Sequence, residues 1–211
     1  MVSWFMISDA RLYGILDLGY VAAKNAVAMA ERMLAGGIDV IQLRAKHSSE
    51  AEILELGHEV ALRCHTARVP FIINDFPGLV RPTWANGVHI GQEDGPLKVA
   101  RVAAGPNAIV GRSTHSLEQA RAAWAEGADY IGFGPIFATP TKPDYTPIGT
   151  DDIATVFRES PVPVFCIGGI KRENLPALVA AGARRAVIVS GILQAAEVER
   201  YIADCKQALA G

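Results

Sequence analysis

The stretch IDVIQLRAKHSSEAEILELGHEVALRCHTARVPFIIND, residues 38–75, contains two short apolar runs separated by a longer mixed segment. The runs IDVIQLR and VPFIIN are rich in Ile and Val and are typical of buried strands. Between them, SSEAEILELGHEVALRCH repeats its apolar residues at the spacing of an amphipathic helix. A strand, a helix and a second strand in this order predict a parallel pair of strands joined by a crossover helix.

The same alternation continues along the chain. Six further short apolar runs predict strands: LYGILD (12–17), GVHI (87–90), AIVGRS (108–113), DYIGFG (129–134), PVFCIG (163–168) and RAVIVS (185–190). Amphipathic segments such as AAKNAVAMAERMLAGG, SLEQARAAWAEGA and RENLPALVAAGA lie between strands, and several end in Gly, which commonly stops a helix. The weakest unit is the third, where the two prolines of FPGLVRPTWAN (76–86) predict at most a short helix.

Eight strand–helix units in 211 residues predict an α/β protein with a single (β/α)8 TIM barrel over residues 1–211. An open doubly wound sheet is the alternative. The dinucleotide-binding form of that sheet has a GxGxxG turn after its first strand, and no such turn follows LYGILD. The barrel is therefore the predicted fold, with an active site at the carboxyl ends of its strands.

The composition argues against two classes of partner. Twenty Lys and Arg against 22 Asp and Glu give a net charge of −2, so neither nucleic acid nor a membrane surface is indicated. Cys64, Cys166 and Cys205 form no CxxC pair, which disfavours a zinc site or a disulfide framework. The N-terminal residues lack the pattern of a signal peptide, and no apolar run reaches the roughly 18 residues of a spanning helix. We expect a cytoplasmic protein that acts on small molecules, with homo-oligomerisation left open.

Polar residues collect at the carboxyl ends of the predicted strands, where barrel enzymes carry their active sites. From the second strand to the eighth, these residues are Gln42, Arg44 and Lys46; Asn74 and Asp75; Asp94; Ser113 and His115; the loop 138–149 with Thr139, Thr141 and Lys142; Gly168 and Gly169; and Val189 and Ser190. The candidate functional residues thus share one end of the barrel.

Gln42, Arg44 and Lys46 alternate along the second strand and would share one face. Two cations directed inward need an anion, because burying an unpaired charge is costly. Asp75 and Asp94 follow neighbouring strands and can converge on Mg²⁺, which is commonly held by one or two carboxylates plus phosphate oxygens. Together these residues predict a metal-bound diphosphate site. The alternatives are that each Asp caps the next helix, or that the cations pair with these carboxylates.

Two glycine-rich strand ends predict a second anion site. Gly168 and Gly169 follow the seventh strand, while Val189, Ser190 and Gly191 end the eighth. The loops after these two strands often bind phosphate in barrel enzymes, and glycine lets backbone N–H groups approach it closely. The loop 138–149 is rich in Thr and Pro and carries Lys142, which favours a closing loop over a plain connector.

The role of His115 is open from the sequence. It could act as an acid or base, or it could simply precede a helix, because SLEQ fits a capping box with Ser116 as N-cap and Gln119 reaching back. His89 and Cys166 are interpreted as packing residues.

Several of these elements together resemble the thiamine-phosphate synthase family. They are QLRAK (42–46), ND (74–75), GVHIGQED (87–94), STH (113–115), DYIGFGPIFATPTK (129–142), IGGI and VSGI, and the resemblance runs from LYGILD to about residue 195. It implies a TIM barrel that joins 4-amino-5-hydroxymethyl-2-methylpyrimidine diphosphate to a thiazole monophosphate and releases pyrophosphate. The implied mechanism is dissociative, with pyrophosphate leaving first, and it needs no protein general base.

The resemblance also implies residue roles. The pyrimidine diphosphate would be bound by Gln42, Arg44, Lys46, Asn74, Ser113 and Lys142, and Mg²⁺ by Asp75 and Asp94. The thiazole phosphate would be bound by Thr139, Thr141, Gly169, Val189 and Ser190. Arg44, Lys46, Ser113 and Lys142 are the catalytic candidates.

The chain departs from the family pattern at two places. Phe76-Pro77-Gly78 stands where the family usually has Arg and a second Asp, and Arg112 precedes Ser113 where a small apolar residue is commoner. GRSTHSLEQA and VSGI also resemble the related thiazole tautomerase, an isomerase that would use His115. That relative should not need the diphosphate and metal residues, all of which are present here. A third hypothesis is a non-catalytic protein that binds thiamine or its phosphates.

Overall fold

The computed structural model describes residues 5–139 and 146–210. Its eight strands are β1 (Leu12–Asp17), β2 (Val40–Arg44), β3 (Phe71–Asn74), β4 (Gly87–Ile90), β5 (Ile109–Thr114), β6 (Tyr130–Phe133), β7 (Val164–Cys166) and β8 (Ala186–Ile188). All pair in parallel with their sequence neighbours, and β1 also pairs with β8, so the sheet closes into a barrel. The predicted (β/α)8 fold is confirmed, and the open doubly wound alternative is wrong.

Within the described residues, one helix precedes β1, two follow β8, and the others lie between strands along the chain. The helices are α1 (Phe5–Asp9), α2 (Ala23–Ala35), α3 (Glu50–Ala67), α4 (Leu97–Ala104), α5 (Leu117–Ala125), α6 (Ile153–Glu159), α7 (Leu175–Ala180), α8 (Ser190–Leu193) and α9 (Val198–Ala210). Short 3-10 helices occupy Pro77–Leu79 and Arg172–Asn174. The third unit therefore contains only one 3-10 turn, as its two prolines predict.

Local capping explains where the longer helices begin. Ser49 and Glu52 form a reciprocal capping box at the start of α3. At α5 only half of the predicted capping box is present. The Ser116 hydroxyl accepts from the Gln119 N–H at 3.2 Å, as predicted. The Gln119 side chain instead accepts from the backbone N–H of His115 at 2.7 Å, one residue earlier than expected. This bond fixes the backbone just after β5.

Two apolar clusters stabilise the barrel. The larger one lies between the strands and the surrounding helices and includes the buried thiols of Cys64, Cys166 and Cys205. A smaller one fills the interior with residues from α1, β1 to β3 and β5 to β8, among them Tyr13, Tyr130 and Phe165. Burial of side chains of this size contributes about 1.5–3 kcal/mol each. No helix in the described part of the chain is long and apolar enough to cross a membrane.

Candidate active site

Two adjoining cavities open at the carboxyl ends of the strands. The larger encloses about 830 Å³ including its open mouth. Its lining includes Asp17, Gln42, Arg44, Asn74, His89, Ser113, His115, Gly134, Thr139, Gly168, Gly169, Val189 and Ser190. The smaller encloses about 440 Å³ and is lined by Arg44, Lys46, Asn74, Asp75, His89, Gly91, Gln92, Glu93, Asp94 and Ser113. Because Arg44, Asn74, His89 and Ser113 line both, the cavities form one continuous cleft.

The structure brings nearly all the predicted site residues to this cleft. Gln42, Arg44, Asn74, Ser113, Thr139, Gly169, Val189 and Ser190 line the larger cavity, while Lys46, Asp75 and Asp94 line the smaller. The predicted Thr141 and Lys142 lie outside the described residues, so their proposed roles stay predictions.

Arg44 already has a carboxylate partner. Its Nη1 lies 2.6 Å from Oδ2 of Asp17, a side chain at the end of β1 that is only 2% exposed. The register of β1 and β2 aligns these two residues directly, and Asp17 also accepts from the backbone N–H of Gly19 at 2.9 Å. The alternative that Arg44 forms its ion pair with Asp75 or Asp94 is therefore wrong, because its carboxylate partner is Asp17. A guanidinium has five N–H donors, so the pair orients Arg44 without using up its capacity to bind an anion.

Lys46 reaches the cleft by a different route from the predicted one. β2 ends at Arg44, and Lys46 lies in the following turn with its side chain exposed. The strand alternation assumed for the three polar residues therefore applies only to Gln42 and Arg44. Lys46 still lines the smaller cavity, and the positive charges of Lys46 and then Arg44 act to lower the pKa of Asp75.

Asp75 and Asp94 both line the smaller cavity, and their side chains lie within hydrogen-bonding distance of each other. Partial burial raises the pKa of the Asp75 carboxyl, and the negative charge of Asp94 and its hydrogen bond to Asp75 raise it further. Neither carboxylate caps a helix. The N-cap residues are Phe76 for the 3-10 helix after β3 and Pro96 for α4, and neither helix has a side-chain capping bond. The capping alternative is therefore wrong, and the pair is left directed at the cleft.

Two sets of hydrogen bonds fix the loop that carries Asp94: one made by Asp94 itself and one made by Arg112. Asp94 Oδ2 accepts from the Gly91 N–H at 2.6 Å. The buried Arg112 on β5 donates to the carbonyl oxygens of Gly95 at 2.7 Å and Gln92 at 3.1 Å, which lie on either side of Asp94. Arg112, a departure from the family pattern, thus has a structural role here: it holds the loop that positions Asp94.

A buried chain of hydrogen bonds connects two candidate substrate-binding side chains. Gln42 Nε2 donates to the Tyr13 hydroxyl at 2.8 Å, which lies 3.0 Å from the Tyr130 hydroxyl. The Tyr130 hydroxyl lies 3.0 Å from His89 Nδ1, and His89 Nε2 lies 2.9 Å from Ser113 Oγ. Burial is the main cause that raises the pKa of both phenols, so both stay protonated at neutral pH. We call these five residues the buried chain.

His115 lines the larger cavity with one ring nitrogen already engaged. Its Nδ1 donates to the carbonyl oxygen of Gly134, and its backbone N–H donates to Gln119. Both bonds fix the ring at the end of β5. Its part in catalysis remains a hypothesis.

Two glycines shape the opposite end of the cleft. Gly168 and Gly169 have left-handed φ angles of 95° and 64°. A Cβ at Gly168 would lie 2.3 Å from Pro135 Cβ, and one at Gly169 would lie 2.5 Å from the carbonyl oxygen of Ala138. Both positions therefore require glycine for conformation and for space. The Asn174 side chain donates to the Gly169 carbonyl at 2.9 Å, which further fixes this loop.

Sequence reasoning missed Asp17, Tyr13 and Tyr130 and treated His89 as packing. Asp17 ends a predicted strand at the correct end of the barrel, so the strand-end criterion could have included it. Tyr13, Tyr130 and His89 lie within strands, and no pattern in those strands marks an inward polar group. The signal available for them was a polar atom in an otherwise apolar strand, which must find a hydrogen-bond partner.

Comparison with known proteins agrees with this geometry. A family model described as thiamine monophosphate synthase matches residues 12–192. The thiamine-phosphate synthase of Shouchella clausii is 40% identical over 190 residues, covering 90% of this chain and 91% of its own. That of Chloroflexus aurantiacus is 39% identical over 193 residues, with 91% and 89% covered.

Solved structures give a consistent result. Thiamine phosphate pyrophosphorylase from Pyrococcus furiosus superimposes with a TM-score of 0.88 at 29% identity, covering 97% of this chain and 98% of that one. A 3-hexulose-6-phosphate synthase superimposes at 0.69 with 18% identity, covering 94% and 99%. At that identity the second match shows the shared barrel fold alone.

Proposed function

The chain belongs to the thiamine monophosphate synthase family, and from this premise we propose that it is a transferase of thiamine biosynthesis. It couples 4-amino-5-hydroxymethyl-2-methylpyrimidine diphosphate to a thiazole monophosphate and releases pyrophosphate. The single observation that carries the proposal is the continuous cleft with a charged end and a glycine-rich end. Two phosphorylated substrates need two such anion sites, placed so that their reacting carbon and nitrogen meet between them.

We place the diphosphate at the charged end. Arg44 and Lys46 supply positive charge there, and Asp75 with Asp94 supplies two carboxylates. No cluster of three or more His, Cys, Asp or Glu residues that could hold a metal occurs in residues 5–139 and 146–210. Two carboxylates without further protein ligands fit Mg²⁺, which takes its remaining ligands from phosphate oxygens and water. When bound, this ion would neutralise charge that grows on the leaving group.

The protein's own residues do the rest of the proposed chemistry. Arg44, oriented by Asp17, and Lys46 stabilise the negative charge that accumulates on the diphosphate as its carbon–oxygen bond breaks. Lys142 would join them from the loop after β6. Gln42 and Ser113 bind and orient the pyrimidine ring. The thiazole nitrogen is already a nucleophile, so no residue needs to remove a proton before the bond forms.

We place the thiazole phosphate at the glycine-rich end. Gly169, Val189 and Ser190 line the cleft there together with Thr139, and Thr141 would complete the set. The glycine conformation lets the backbone approach a phosphate closely, and the Ser and Thr hydroxyls can donate to its oxygens. We also propose a cytoplasmic location, in which the three buried, unpaired thiols would stay reduced.

The test is pyrophosphate release by the purified protein with each substrate alone and with both, in the presence of Mg²⁺ or of a chelator. Release that requires both substrates and the metal supports the synthase and the metal site together. Release that survives complete chelation would overturn the metal site alone. No release, with isomerisation of a thiazole carboxylate phosphate that is lost in His115→Ala, would replace the synthase with the tautomerase.

A further inference from the structure

The two carboxylates at the charged end of the cleft are held in different ways. Asp75 directly follows β3, and its backbone N–H donates to the His89 carbonyl at 2.9 Å, so the barrel itself fixes its position. β4, in contrast, ends at Ile90, and Asp94 lies beyond it in the loop 91–95 with its side chain exposed. Asp94 therefore needs contacts other than strand pairing to stay at the cleft.

The loop 91–95 has little rigidity of its own. It begins and ends with glycine, and a Cβ added at Gly95 would meet nothing within 4 Å. The Gly91 N–H donates to Asp94 Oδ2 at 2.6 Å, and the Asp94 N–H donates to the Gly91 carbonyl at 3.4 Å. These two bonds shape the turn but do not attach it to the barrel. Because glycine loses more conformational freedom on ordering than other residues, the loop must be held by side chains from elsewhere.

Three side-chain hydrogen bonds attach the loop to the end of β5. Arg112 donates to the carbonyl oxygens of Gly95 at 2.7 Å and of Gln92 at 3.1 Å. The Gln92 side chain in turn donates to the carbonyl oxygen of Ser113. Arg112 therefore binds the loop on both sides of Asp94, and it supplies two of the three bonds.

The guanidinium of Arg112 has no other charged partner in the structure. The side chain is buried, and it forms no ion pair with a carboxylate in residues 5–139 and 146–210. Arg112 also lines neither cavity of the cleft. A buried cation is costly unless its donors are satisfied, and here two loop carbonyls satisfy them. Any effect of Arg112 on the cleft must therefore pass through the loop.

We propose that Arg112 is a positioning residue that sets the affinity of the cleft for a divalent cation, by holding the loop 91–95 so that Asp94 stays beside Asp75. The inference deepens the proposed function and rests on it for the metal site. Metal affinity can be measured without either substrate, so the inference is tested independently of the reaction.

The first measurement is the Kd of Mn²⁺, a stand-in for Mg²⁺ with the same preference for oxygen ligands, from the loss of the EPR signal of the free ion. We expect Arg112→Met to raise the Kd by about 10–100-fold, the range found for residues that orient metal ligands. Arg112→Lys keeps the charge but not the fork of donors, so its Kd should lie between the two. It also carries the test if the Met variant does not fold. An unchanged Kd in both variants, or no Mn²⁺ binding by the unmodified protein, would overturn the proposal.

The second measurement repeats the change in the Asp94→Asn protein. If Arg112 acts through Asp94, Arg112→Met should alter the Mn²⁺ Kd by less than about twofold in this background, because the ligand that it positions is already lost. The same 10–100-fold increase in both backgrounds would show that Arg112 acts independently of Asp94, and the proposal would be wrong.

Arg101→Met is the matched control for general loosening of the fold. Arg101 also donates to two carbonyl oxygens, of Ala108 at 3.0 Å and Gly127 at 2.7 Å, and it lines neither cavity. We expect this variant to melt at a lower temperature with an unchanged Mn²⁺ Kd. If its Kd rises as much as in Arg112→Met, lost stability explains both and the proposal fails.

Pyrophosphate release separates this inference from the proposed function. In Arg112→Met the Mg²⁺ concentration that gives half-maximal release should rise, while kcat at saturating Mg²⁺ should return to nearly that of the unmodified protein. A fall in kcat that excess Mg²⁺ does not restore would overturn a role limited to metal affinity. If the unmodified protein releases no pyrophosphate, the proposed function fails, while the Mn²⁺ measurements still decide the role of Arg112.

Discussion

The two ends of the cleft differ in how they are built for an anion. The end formed by β2, β3 and β4 uses charged side chains, with Arg44 and Lys46 opposite Asp75 and Asp94. The end formed by β7 and β8 uses backbone shape, with Gly168 and Gly169 in left-handed conformations. The comparison shows that removing a side chain should disable the first end, whereas adding a single carbon should disable the second.

The largest effect is expected at the charged end from Lys46→Met, which removes the charge but keeps much of the side-chain length. We expect kcat/KM for pyrophosphate release to fall by about 10²–10³-fold, the range seen when one group that stabilises developing charge is removed. Because Lys46 is exposed and lies in a turn, the melting temperature should change little. Lys98→Met, an exposed lysine on α4 outside both cavities, is the control and should keep full activity. Equal activity in the two variants would exclude a role for Lys46.

Asp75→Asn should separate activity from stability. We expect activity to fall by about 10²-fold or more, because one of the two proposed metal ligands is lost. The fold should not weaken, since Asn also tolerates the φ of 65° and no longer repels Asp94.

The pH dependence of stability provides the check. The pKa of Asp75 is raised above its ordinary value of 3.8 in the folded protein, so the unmodified protein loses stability as pH rises from that value through the raised pKa. The Asn variant lacks this loss. Its melting temperature relative to the unmodified protein should therefore increase between pH 4 and neutrality. A constant difference would show that neither burial nor Asp94 raises the pKa of Asp75 in the folded protein.

Gly169→Ala should disable the glycine-rich end. The new Cβ would approach the Ala138 carbonyl to 2.5 Å and Phe137 Cβ to 2.7 Å, so the loop must move. We expect KM for the thiazole phosphate to rise by about tenfold or more, from the loss of one or more charged hydrogen bonds. KM for the pyrimidine diphosphate should stay nearly unchanged.

The matched control is Gly127→Ala, which has a similar left-handed φ of 93° but nothing within 4 Å of the new Cβ. Both variants pay about 1–2 kcal/mol for the left-handed conformation. Only Gly169→Ala should also lose thiazole phosphate binding. Similar KM values in the two variants would mean that conformational strain alone, and not the shape of the cleft, explains the change.

The smallest effect is expected from Ser190→Ala. This change removes one hydroxyl donor at the end of the cleft, while the neighbouring backbone and Thr139 remain. We expect KM for the thiazole phosphate to increase by a few-fold to about tenfold, with kcat unchanged. A fall in kcat comparable to that of Lys46→Met would show that this end also contributes to the chemical step.

The sequence was sufficient to predict the strand order and most of the cleft, for a physical reason. Period and length distinguish short buried strands from helices, and parallel strands place their carboxyl ends together. Period and length could not predict the ion pair between Arg44 and Asp17, because this pair depends on the register between β1 and β2. Lys46 was assigned to the strand because strand ends are poorly defined by sequence.

The buried chain was harder still to predict. Tyr13, His89 and Tyr130 belong to three strands, β1, β4 and β6, and they meet only across the barrel interior. Strands buried on both faces are apolar throughout, so no alternation shows which residues point inward. Their contacts follow from closure of the barrel and the packing of its interior, neither of which is local in the sequence.

Asp17 is also expected to affect how the product pyrophosphate leaves the site. A product anion held only by cations would leave bare positive charge behind, and an uncompensated charge in a partly buried position is costly. Arg44 has a carboxylate neighbour supplied by the protein itself, with Asp17 Oδ2 2.6 Å from its Nη1. The resident carboxylate thus competes mildly with the departing pyrophosphate for the same guanidinium. We therefore expect Asp17 to favour release of pyrophosphate as well as to orient Arg44.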